Sequence, residues 1–298
     1  MSGSSSKKIL LTGKRGFIGK NLFESLNAKF DVFAPEHNEL ELLNEAKVKE
    51  YIKDNGINII IHSAATPSHR KIKGPRDVAI KNLKMFFNIV KNKAYFSKMI
   101  FLGSGAEYGM NLPIHRVKEE DFDNRIPDDE NGFSKYICSK YIEGAENIVN
   151  LRCFGVFGKY EDYQIRFISN AICKAIFGLP VTIKQNRVFS YLYMNDLCGI
   201  VKYFIENAAS RKIYNAVPKE SIDLLTIANK IKSISGANVD IIIRNEGMGK
   251  EYTADNSRLN QELKNFKFTP FDKALEELYH WYVANKDIID KDLLLYDP

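Results

Sequence analysis

A glycine-rich turn near the start of this 298-residue chain constrains its fold more than any other feature. The apolar run at 8–12 leads directly into Gly13, and Gly16 and Gly19 follow before an amphipathic helical pattern that continues to Leu26. Gly13 would allow a tight turn, Gly16 would let backbone approach a pyrophosphate, and Gly19 would let the helix pack closely on the strand. A phosphate there lies at a helix N-terminus, where unpaired N–H groups favour anions. The placement of the glycines therefore predicts a dinucleotide-binding site.

Two signals near this turn disagree about which dinucleotide binds. Glu36 follows Gly19 by 17 residues, near the position where a carboxylate would bind the ribose 2′-hydroxyl of NAD. Lys14 and Arg15 lie inside the turn and could instead pair with the 2′-phosphate of NADP. We expect NADP(H) and keep NAD(H) as the alternative. The candidate cofactor-binding residues of the turn are Gly13, Lys14, Arg15, Gly16, Phe17, Ile18 and Gly19.

Strand and helix patterns alternate through the first half of the chain. The strand patterns cover 8–12, 31–34, 58–61, 99–102 and 150–153, and the later helical patterns cover 45–54, 78–90 and 135–148. Strands and helices at this spacing favour a parallel sheet covered by helices on both faces, with right-handed crossovers. We therefore predict an α/β fold with a doubly wound parallel sheet of the Rossmann type.

The alternation becomes irregular after Phe157. Short strand patterns at 181–183, 213–216 and 239–243 are mixed with helical patterns at 165–176, 195–206, 225–234 and 272–283. This mixture favours a second, smaller α/β region that the chain enters more than once. We predict a dinucleotide-binding domain over 1–155 and a smaller substrate-binding domain over 156–298. The chain is expected to return to the first domain around 186–208.

Charge and composition exclude several classes of function. The formal net charge is +6, but no basic block interleaved with aromatic residues occurs, so no nucleic-acid partner is expected. No run approaches the roughly 18 apolar residues of a membrane-spanning helix, and the start lacks the apolar core of a secretion signal. We expect no membrane association, a cytoplasmic location and a flexible leader over 1–6. The acidic segment at 119–130 is predicted to be a solvated loop.

Cysteine and histidine spacing does not indicate a metal site. The cysteines lie 15, 20 and 25 residues apart, and the histidines lack the paired spacing of zinc enzymes. We predict no metal. The cysteines expected to be buried free thiols are Cys138, Cys153, Cys173 and Cys198.

A tyrosine and a lysine four residues apart supply candidate catalytic groups. Tyr136 and Lys140 fall on a predicted helix, where this spacing puts both side chains on one face. A nearby ammonium favours ionisation of a phenol, which suits acid or base chemistry near neutral pH. Tyr282 and Lys286 repeat the spacing on the last amphipathic helix. Because Tyr136 follows the glycine-containing segment 102–109, which ends a predicted strand, we take Tyr136 as the candidate.

With these residues in view, the chain resembles the extended short-chain dehydrogenase/reductases that act on nucleotide sugars, over nearly its whole length. The resemblance implies that Tyr136 is the general acid/base, that Lys140 lowers its pKa and holds the nicotinamide ribose, and that Ser104 hydrogen-bonds the reacting oxygen. Further residues implied to bind the cofactor are Ala64, Ala65 and Asn82, together with Tyr136 itself. The motifs that carry the resemblance are GxxGxxG at 13–19, HSAA at 62–65, Asn82, Ser104, YxxxK at 136–140, LRCFGVFG at 151–158, RVFSY at 187–191, NDL at 195–197 and FTP at 268–270.

Departures from the family patterns narrow the reaction. The 4,6-dehydratases of this family carry an Asp-Glu pair after the serine or threonine, whereas Gly105 and Ala106 follow here and Glu107 comes one residue too late. The epimerase-reductases that make GDP-fucose use a cysteine and a histidine for proton transfer, and those positions match Ala106 and Arg166. Ketone reduction and 4-epimerisation remain, and both use a Ser-Tyr-Lys set.

Two further resemblances favour reduction. The turn at 13–16 is similar to that of NADPH-using 4-ketosugar reductases, and ELELLN at 39–44 resembles their short segment before the second helix. We therefore expect a reductase of a nucleotide-linked 4-keto-6-deoxysugar, in which hydride is delivered to C4 while Tyr136 protonates the developing alkoxide. A 4-epimerase is the alternative, and a 4,6-dehydratase or a non-catalytic dinucleotide sensor is less favoured.

Three basic residues are candidates for substrate binding. The resemblance implies that Arg187 holds the diphosphate of the nucleotide sugar, and a guanidinium fork suits phosphate. His69 and Arg70 lie just beyond the third predicted strand, and ligands bind outside the carboxyl ends of parallel strands. Lys250 and Glu251 stand where the family often has a second diphosphate-binding arginine. The resemblance also implies a homodimer formed through the helix that carries the tyrosine.

Overall fold

The computed structural model describes residues 7–66 and 77–295. In chain order, its strands are β1 (Lys8–Thr12), β2 (Asp31–Phe33), β3 (Ile59–His62), β4 (Lys98–Ser104), β5 (Ile114–Val117), β6 (Ile148–Cys153), β7 (Gly155–Phe157), β8 (Val181–Asn186), β9 (Val188–Phe189), β10 (Tyr191–Tyr193), β11 (Ile213–Ala216), β12 (Ile222–Asp223), β13 (Ile241–Met248) and β14 (Tyr252–Ala254). Its α-helices are α1 (Phe17–Leu26), α2 (Glu45–Asp54), α3 (Val78–Val90), α4 (Glu130–Gly144), α5 (Phe167–Ile176), α6 (Met194–Glu206), α7 (Leu224–Ser235), α8 (Ser257–Leu263) and α9 (Phe271–Ala284). Short 3₁₀ turns cover Gly105–Tyr108, Glu119–Asp121, Lys286–Ile288 and Asp292–Leu294.

Six parallel strands form the central sheet, in the order β11-β6-β4-β3-β1-β2. The chain passes from β1 to β2 on one side and then crosses to β3 on the other, so the winding direction reverses between β1 and β3. Thr12 at the end of β1 lies opposite His62 at the end of β3. In open parallel sheets the ligand crevice lies outside the carboxyl ends of the strands at such a point. The predicted doubly wound Rossmann-type fold is confirmed.

Apolar side chains cover both faces of this sheet. On one face, Ile9 packs with Leu22 of α1 and Leu197 of α6. On the other face, Leu10 packs in a cluster that includes Phe86 of α3. Successive residues of a strand point to opposite faces, so the continuous apolar run of β1 suits a sheet that is buried on both sides.

A second core lies among α5, α7, α9, β8 and β13. Ile172, Ile227 and Leu275 are among its buried residues. Between the elements of this core the chain returns to the central sheet through β10, α6 and β11, and again through α8, whose Leu259 packs in the first core. The division into domains at 1–155 and 156–298 stays a prediction.

A small sheet joins segments that are far apart in sequence, in the order β12-β9-β14-β5. β14 pairs in parallel with both β5 and β9, and Tyr252 lies opposite Ile114 and Phe189. The Tyr252 ring packs on Phe154, with 4.8 Å between the ring centroids. This sheet therefore reaches the segment that follows β6.

The helix that carries Tyr136 differs in its bounds from the pattern at 135–148. It begins at Glu130, because the Asp129 side chain accepts a hydrogen bond from the Gly132 N–H and caps the first turn. It ends at Gly144, and Ile148 already belongs to β6. Tyr136 consequently lies in the middle of α4 rather than in its first turn.

The four cysteines are buried and free, as predicted. Burial raises the pKa of the Cys138 and Cys153 thiols to about 12, which keeps both thiols protonated and unreactive at neutral pH.

Among the described helices, none has the length and apolar character needed to cross a membrane.

Candidate functional site

The glycine turn has the close packing that its spacing predicts. Gly13 adopts φ +80°, and a Cβ there would lie 2.8 Å from the backbone of Ala64. A Cβ on Gly19 would overlap the carbonyl oxygen of Gly13. Gly16 caps α1 without a side-chain hydrogen bond, and the nearest atom to a Cβ there is the Gly13 carbonyl oxygen at 3.4 Å. No side chain caps the first turn of α1, so these residues fit a bound pyrophosphate.

Arg15 and Glu36, which predict different dinucleotides, contact each other in the structure. The Arg15 guanidinium forms an ion pair with the Glu36 carboxylate, although the Arg15 side chain is 80% exposed. The pocket beside this pair is lined by Arg15, His37, Asn38 and Glu41. The ammonium of Lys14 lies 4.2 Å from the centre of the Phe23 ring on α1. Arg15 and Glu36, the two residues whose charges predict different dinucleotides, therefore partly neutralise each other.

The segment after β3 is fixed by buried polar groups. Thr12 and His62 are joined by a hydrogen bond of 2.8 Å, and burial lowers the pKa of His62 to about 3, so its ring is neutral. Asn82 accepts a hydrogen bond from the Thr66 N–H at 2.7 Å and donates one to Ser134 of α4. Ala64 lies against Gly13, and Ala65 is exposed beside it. His69 and Arg70 lie outside the described residues.

Tyr136 and Lys140 share one carboxylate. The Tyr136 hydroxyl donates a short hydrogen bond to Asp123, whose other carboxylate oxygen lies 3.0 Å from the Lys140 ammonium. Glu143 lies 3.2 Å from the same ammonium. The hydrogen bond to Asp123 raises the pKa of Tyr136, and burial adds to it, against a smaller opposite effect of Lys140. The lowering effect expected of Lys140 is present, but the hydrogen bond to Asp123 outweighs it, so in this arrangement the pKa of Tyr136 is raised overall.

Ser104 lies where β4 ends and a 3₁₀ turn begins. Its hydroxyl accepts a hydrogen bond from the Ala106 N–H at 3.1 Å and interacts with the hydroxyl of Tyr252, whose pKa it lowers against the larger effect of burial. A Cβ on Gly105 would lie 2.6 Å from the Tyr252 hydroxyl. α4 packs on the same turn, since a Cβ on Gly132 would lie 2.9 Å from the Ala106 carbonyl oxygen. Ser104 and the helix of Tyr136 therefore border the same end of β4.

Glu107 belongs to a closed internal network. Its carboxylate pairs with Arg152 at 2.6 Å, and both side chains are 0% exposed. Ser139 and Asn150 donate further hydrogen bonds to it, and its other oxygen accepts from the Ser104 N–H. The nearest carboxylate to Ser104 in sequence is therefore occupied in holding β4, α4 and β6 together.

Arg187 is held beside β14. Its Nε donates to the Lys250 carbonyl at 2.8 Å, and its guanidinium lies 5.0 Å from the Phe189 ring centre. The charges of Arg166 and Arg187 both lower the pKa of Tyr191, although burial raises it by more. The charges of Arg166 and of the predicted phosphate-binding Arg187 therefore both act on the Tyr191 hydroxyl.

Sequence analysis does not identify several residues that contribute to this region. The segment 119–130 is not a fully solvated loop, because Glu119 is buried and Asp123 binds the Tyr136–Lys140 pair. Arg152 could have been suspected, since it interrupts an apolar strand.

Within 7–66 and 77–295, no three His, Cys, Asp or Glu side chains group as metal ligands.

With this geometry in place, comparison with known proteins assigns the family. Residues 9–216 match the model of the NAD dependent epimerase/dehydratase family, and the chain belongs to that family of NAD(P)-dependent enzymes, as predicted. The chain is similar to GDP-L-colitose synthase of Yersinia pseudotuberculosis, with 22% identity over 67% of this chain and 72% of that protein.

Two solved structures share the fold. A GDP-mannoheptose C4 reductase from Campylobacter jejuni with NADP bound has a TM-score of 0.79 and 20% identity, covering 93% of this chain and 98% of the other. A UDP-glucose 4-epimerase from Thermotoga maritima with UDP-glucose has a TM-score of 0.80 and 18% identity, covering 94% and 99%. At these identities the likeness concerns the fold, and a reductase and an epimerase match it equally well.

Proposed function

We propose that this protein is an NAD(P)H-dependent reductase of a nucleotide-linked 4-keto-6-deoxysugar, with Ser104, Tyr136 and Lys140 as its catalytic residues. Ser104 ends β4, and α4, which carries Tyr136 and Lys140, packs on the 3₁₀ turn that follows Ser104. This end of β4 adjoins the crevice that the glycine turn borders, which is where parallel sheets bind ligands.

The proposal depends on the identity and the bonding partners of the three residues that follow Ser104. A dehydratase needs an acid and a base on neighbouring carbons, but Gly105 and Ala106 carry neither, and Glu107 is bonded to Arg152 inside the protein. Hydride transfer combined with protonation of an oxygen needs no such pair. The hydroxyl groups of Ser104 and Tyr136 are sufficient for it.

In the proposed reduction, the cofactor and each of the three side chains have one role. A dihydronicotinamide held by the residues of the glycine turn would supply the hydride that converts the C4 ketone to an alkoxide. Tyr136 gives its phenolic proton to the alkoxide oxygen, and Ser104 donates a hydrogen bond to that oxygen. Lys140 stabilises the tyrosinate that remains, because an ammonium favours the charged phenolate.

The residues expected to hold the dinucleotide are those of the glycine turn together with Ala64, Ala65 and Asn82. We favour NADP(H), because Arg15 can pair with a 2′-phosphate once it leaves Glu36. The reductase from Campylobacter jejuni with NADP bound agrees with this choice. NAD(H) would instead use Glu36 to bind the ribose hydroxyl.

The residues proposed for the substrate are Arg187, His69 and Arg70. Arg187 would bind the diphosphate, and its hydrogen bond to the Lys250 carbonyl orients the guanidinium. The other two residues would approach the sugar from the segment after β3. A homodimer formed through α4 also remains part of the proposal.

A nucleotide-sugar 4-epimerase is the second candidate. The Thermotoga maritima enzyme supports it, because its fold fits this chain as well as that of the reductase. An epimerase must return the hydride to the opposite face of the sugar, so it retains its cofactor and shows no net oxidation.

The test is an NADPH absorbance assay with a panel of nucleotide-linked 4-keto-6-deoxysugars, prepared in place by dehydratases. Stoichiometric NADPH oxidation with one member supports a reductase and identifies its substrate. Absence of oxidation with every member, together with NAD retained by the purified protein, contradicts the proposal and favours the epimerase.

A further inference from the structure

Asp123 binds both members of the Tyr136–Lys140 pair with a single carboxylate. One oxygen accepts the hydrogen bond of the Tyr136 hydroxyl, and the other lies 3.0 Å from the Lys140 ammonium. Tyr136 is 7% exposed, whereas the Asp123 side chain is 50% exposed. The carboxylate therefore covers the solvent side of a mostly buried phenol.

The position of Asp123 is set by its neighbours. Phe122 is buried against Tyr136, with 5.2 Å between ring centroids, and the Arg152 guanidinium lies 4.2 Å from the centre of the Phe122 ring. Glu119 is buried and accepts a hydrogen bond from the Asn215 N–H at 2.7 Å. Asp123 itself adopts φ +76°, a conformation that Asp and Asn tolerate better than most residues. The packing of this segment thus carries the carboxylate to the pair.

The charges around Tyr136 favour its neutral form. Within the described residues, the carboxylates that face the pair are those of Asp123 and Glu143, and the cation is Lys140. Arg152 lies behind the Phe122 ring and is paired with Glu107. The Lys140 ammonium is therefore shared between two carboxylates, and a phenolate at Tyr136 would have to form beside Asp123.

We propose that Asp123 is a positioning residue that keeps Tyr136 protonated and so sets this site for proton donation, the direction that ketone reduction requires. This inference rests on the proposed function. In reduction, the phenolic O–H bond breaks as the C4 oxygen gains the proton and C4 gains the hydride. In the reverse oxidation a phenolate must remove that proton, and an epimerase needs both steps in each turnover. A carboxylate bound to the phenol therefore maintains the protonated form from which the first step starts and disfavours the phenolate from which the second step starts.

The test compares Asp123→Asn with Asp128→Asn. Asparagine keeps the shape and tolerates the same backbone conformation, but it carries no charge. Asp128 belongs to the same acidic segment and binds Asn111 instead of the pair, so its variant controls for the loss of one negative charge. The measurement is the pH profile of kcat/KM in both directions. The forward reaction uses the panel member that the wild type reduces, and the reverse uses its isolated product with NADP⁺.

We expect Asp123→Asn to move the high-pH loss of forward activity down by roughly one pH unit or more, because a nearby negative charge disfavours ionisation of the phenol. The rise of reverse activity should move down by the same amount, so reverse turnover at neutral pH should increase several-fold. Asp128→Asn should leave both profiles in place. Unchanged profiles in Asp123→Asn would overturn the inference.

A second measurement does not depend on turnover. The ultraviolet difference spectrum of tyrosinate, taken between each protein and its Tyr136→Phe counterpart, reports ionisation of Tyr136 alone. Tyrosinate should form at lower pH in Asp123→Asn than in the wild type, and equal titration of both would also overturn the inference. Absence of NADPH oxidation with the whole panel, by contrast, concerns the proposed function and leaves this titration readable.

Discussion

Glu107 and Asp123 are two carboxylates beside the same helix, and their surroundings are opposite. Glu107 is fully buried and bonds to side chains that are buried with it, among which Arg152 balances its charge. Asp123 is half exposed, and its partners are the hydroxyl and the ammonium proposed to do the chemistry. A carboxylate in a closed network contributes to stability, whereas one at an open edge can exchange its partners for a ligand.

The contrast also shows that a carboxylate close to Ser104 in sequence need not be available to the site. Glu107 lies three residues from Ser104, yet its carboxylate faces the interior between β4, α4 and β6. Asp123 lies further along the chain in a segment that reads as solvated, yet it reaches the pair. The availability of a charged group for chemistry therefore depends on its burial and its partners.

Tyr136→Phe tests the open side of the comparison. Removal of the phenolic proton should lower kcat by about 10³-fold, within the range usual for a general acid, while dinucleotide binding is kept. The measurements are steady-state NADPH oxidation and a dinucleotide binding titration. Tyr282→Phe, which alters the other YxxxK match, is the control, and wild-type turnover in Tyr136→Phe would exclude the proposed role.

Glu107→Gln tests the closed side. It leaves the Arg152 guanidinium buried without a counter-charge, which usually costs about 3–5 kcal/mol of unfolding free energy. Denaturant unfolding measures it. Glu120→Gln removes a carboxylate whose side chain is 68% exposed and should cost less than about 1 kcal/mol. Equal effects of the two substitutions would contradict the distinction drawn here.

Glu161 extends the comparison to a buried carboxylate on which burial outweighs the opposite effect of the Arg166 charge. Ser169 donates to it, and burial raises its pKa to about 8 from an ordinary value of 4.5. Between these values the folded chain holds a proton that the unfolded chain has lost, so stability should fall as pH rises, by roughly 1 kcal/mol per pH unit. Glu161→Gln mimics the protonated acid and should remove this slope, whereas Asp162→Asn should keep it. Thermal unfolding between pH 5 and 8 measures the difference.

The Arg15–Glu36 pair gives the smallest expected effect. Arg15→Ala should weaken NADPH binding by roughly tenfold relative to NADH, because the 2′-phosphate loses a charged hydrogen bond of about 1.5 kcal/mol. Glu36→Gln should shift the preference towards NADPH, since it frees Arg15. Parallel titrations with both dinucleotides measure the ratio. A preference that neither substitution changes would mean that this exposed pair does not select the cofactor.

Local patterns predict much of the fold and less of the site. The glycine turn and α2 are read correctly, because a turn and an amphipathic face are properties of neighbouring residues. β5 and β14 are missed, because each is a short strand stabilised by partners far along the chain. The partnership of Glu107 with Arg152 and that of Asp123 with Tyr136 are missed for the same reason. Tyr136 and Lys140 could be proposed because both lie on one helix and because the motifs around them resemble a known family.

The small sheet that contains β14 also has a consequence for the order in which the molecule can be completed during synthesis. β14 lies between β5 and β9 and supplies the Tyr252 hydroxyl beside Ser104. A nascent chain that ends before Tyr252 can already contain all six strands of the central sheet. Its β5 and β9 nevertheless lack the strand that joins them. The six strands of the central sheet are therefore synthesised before the strand that closes the surroundings of Ser104.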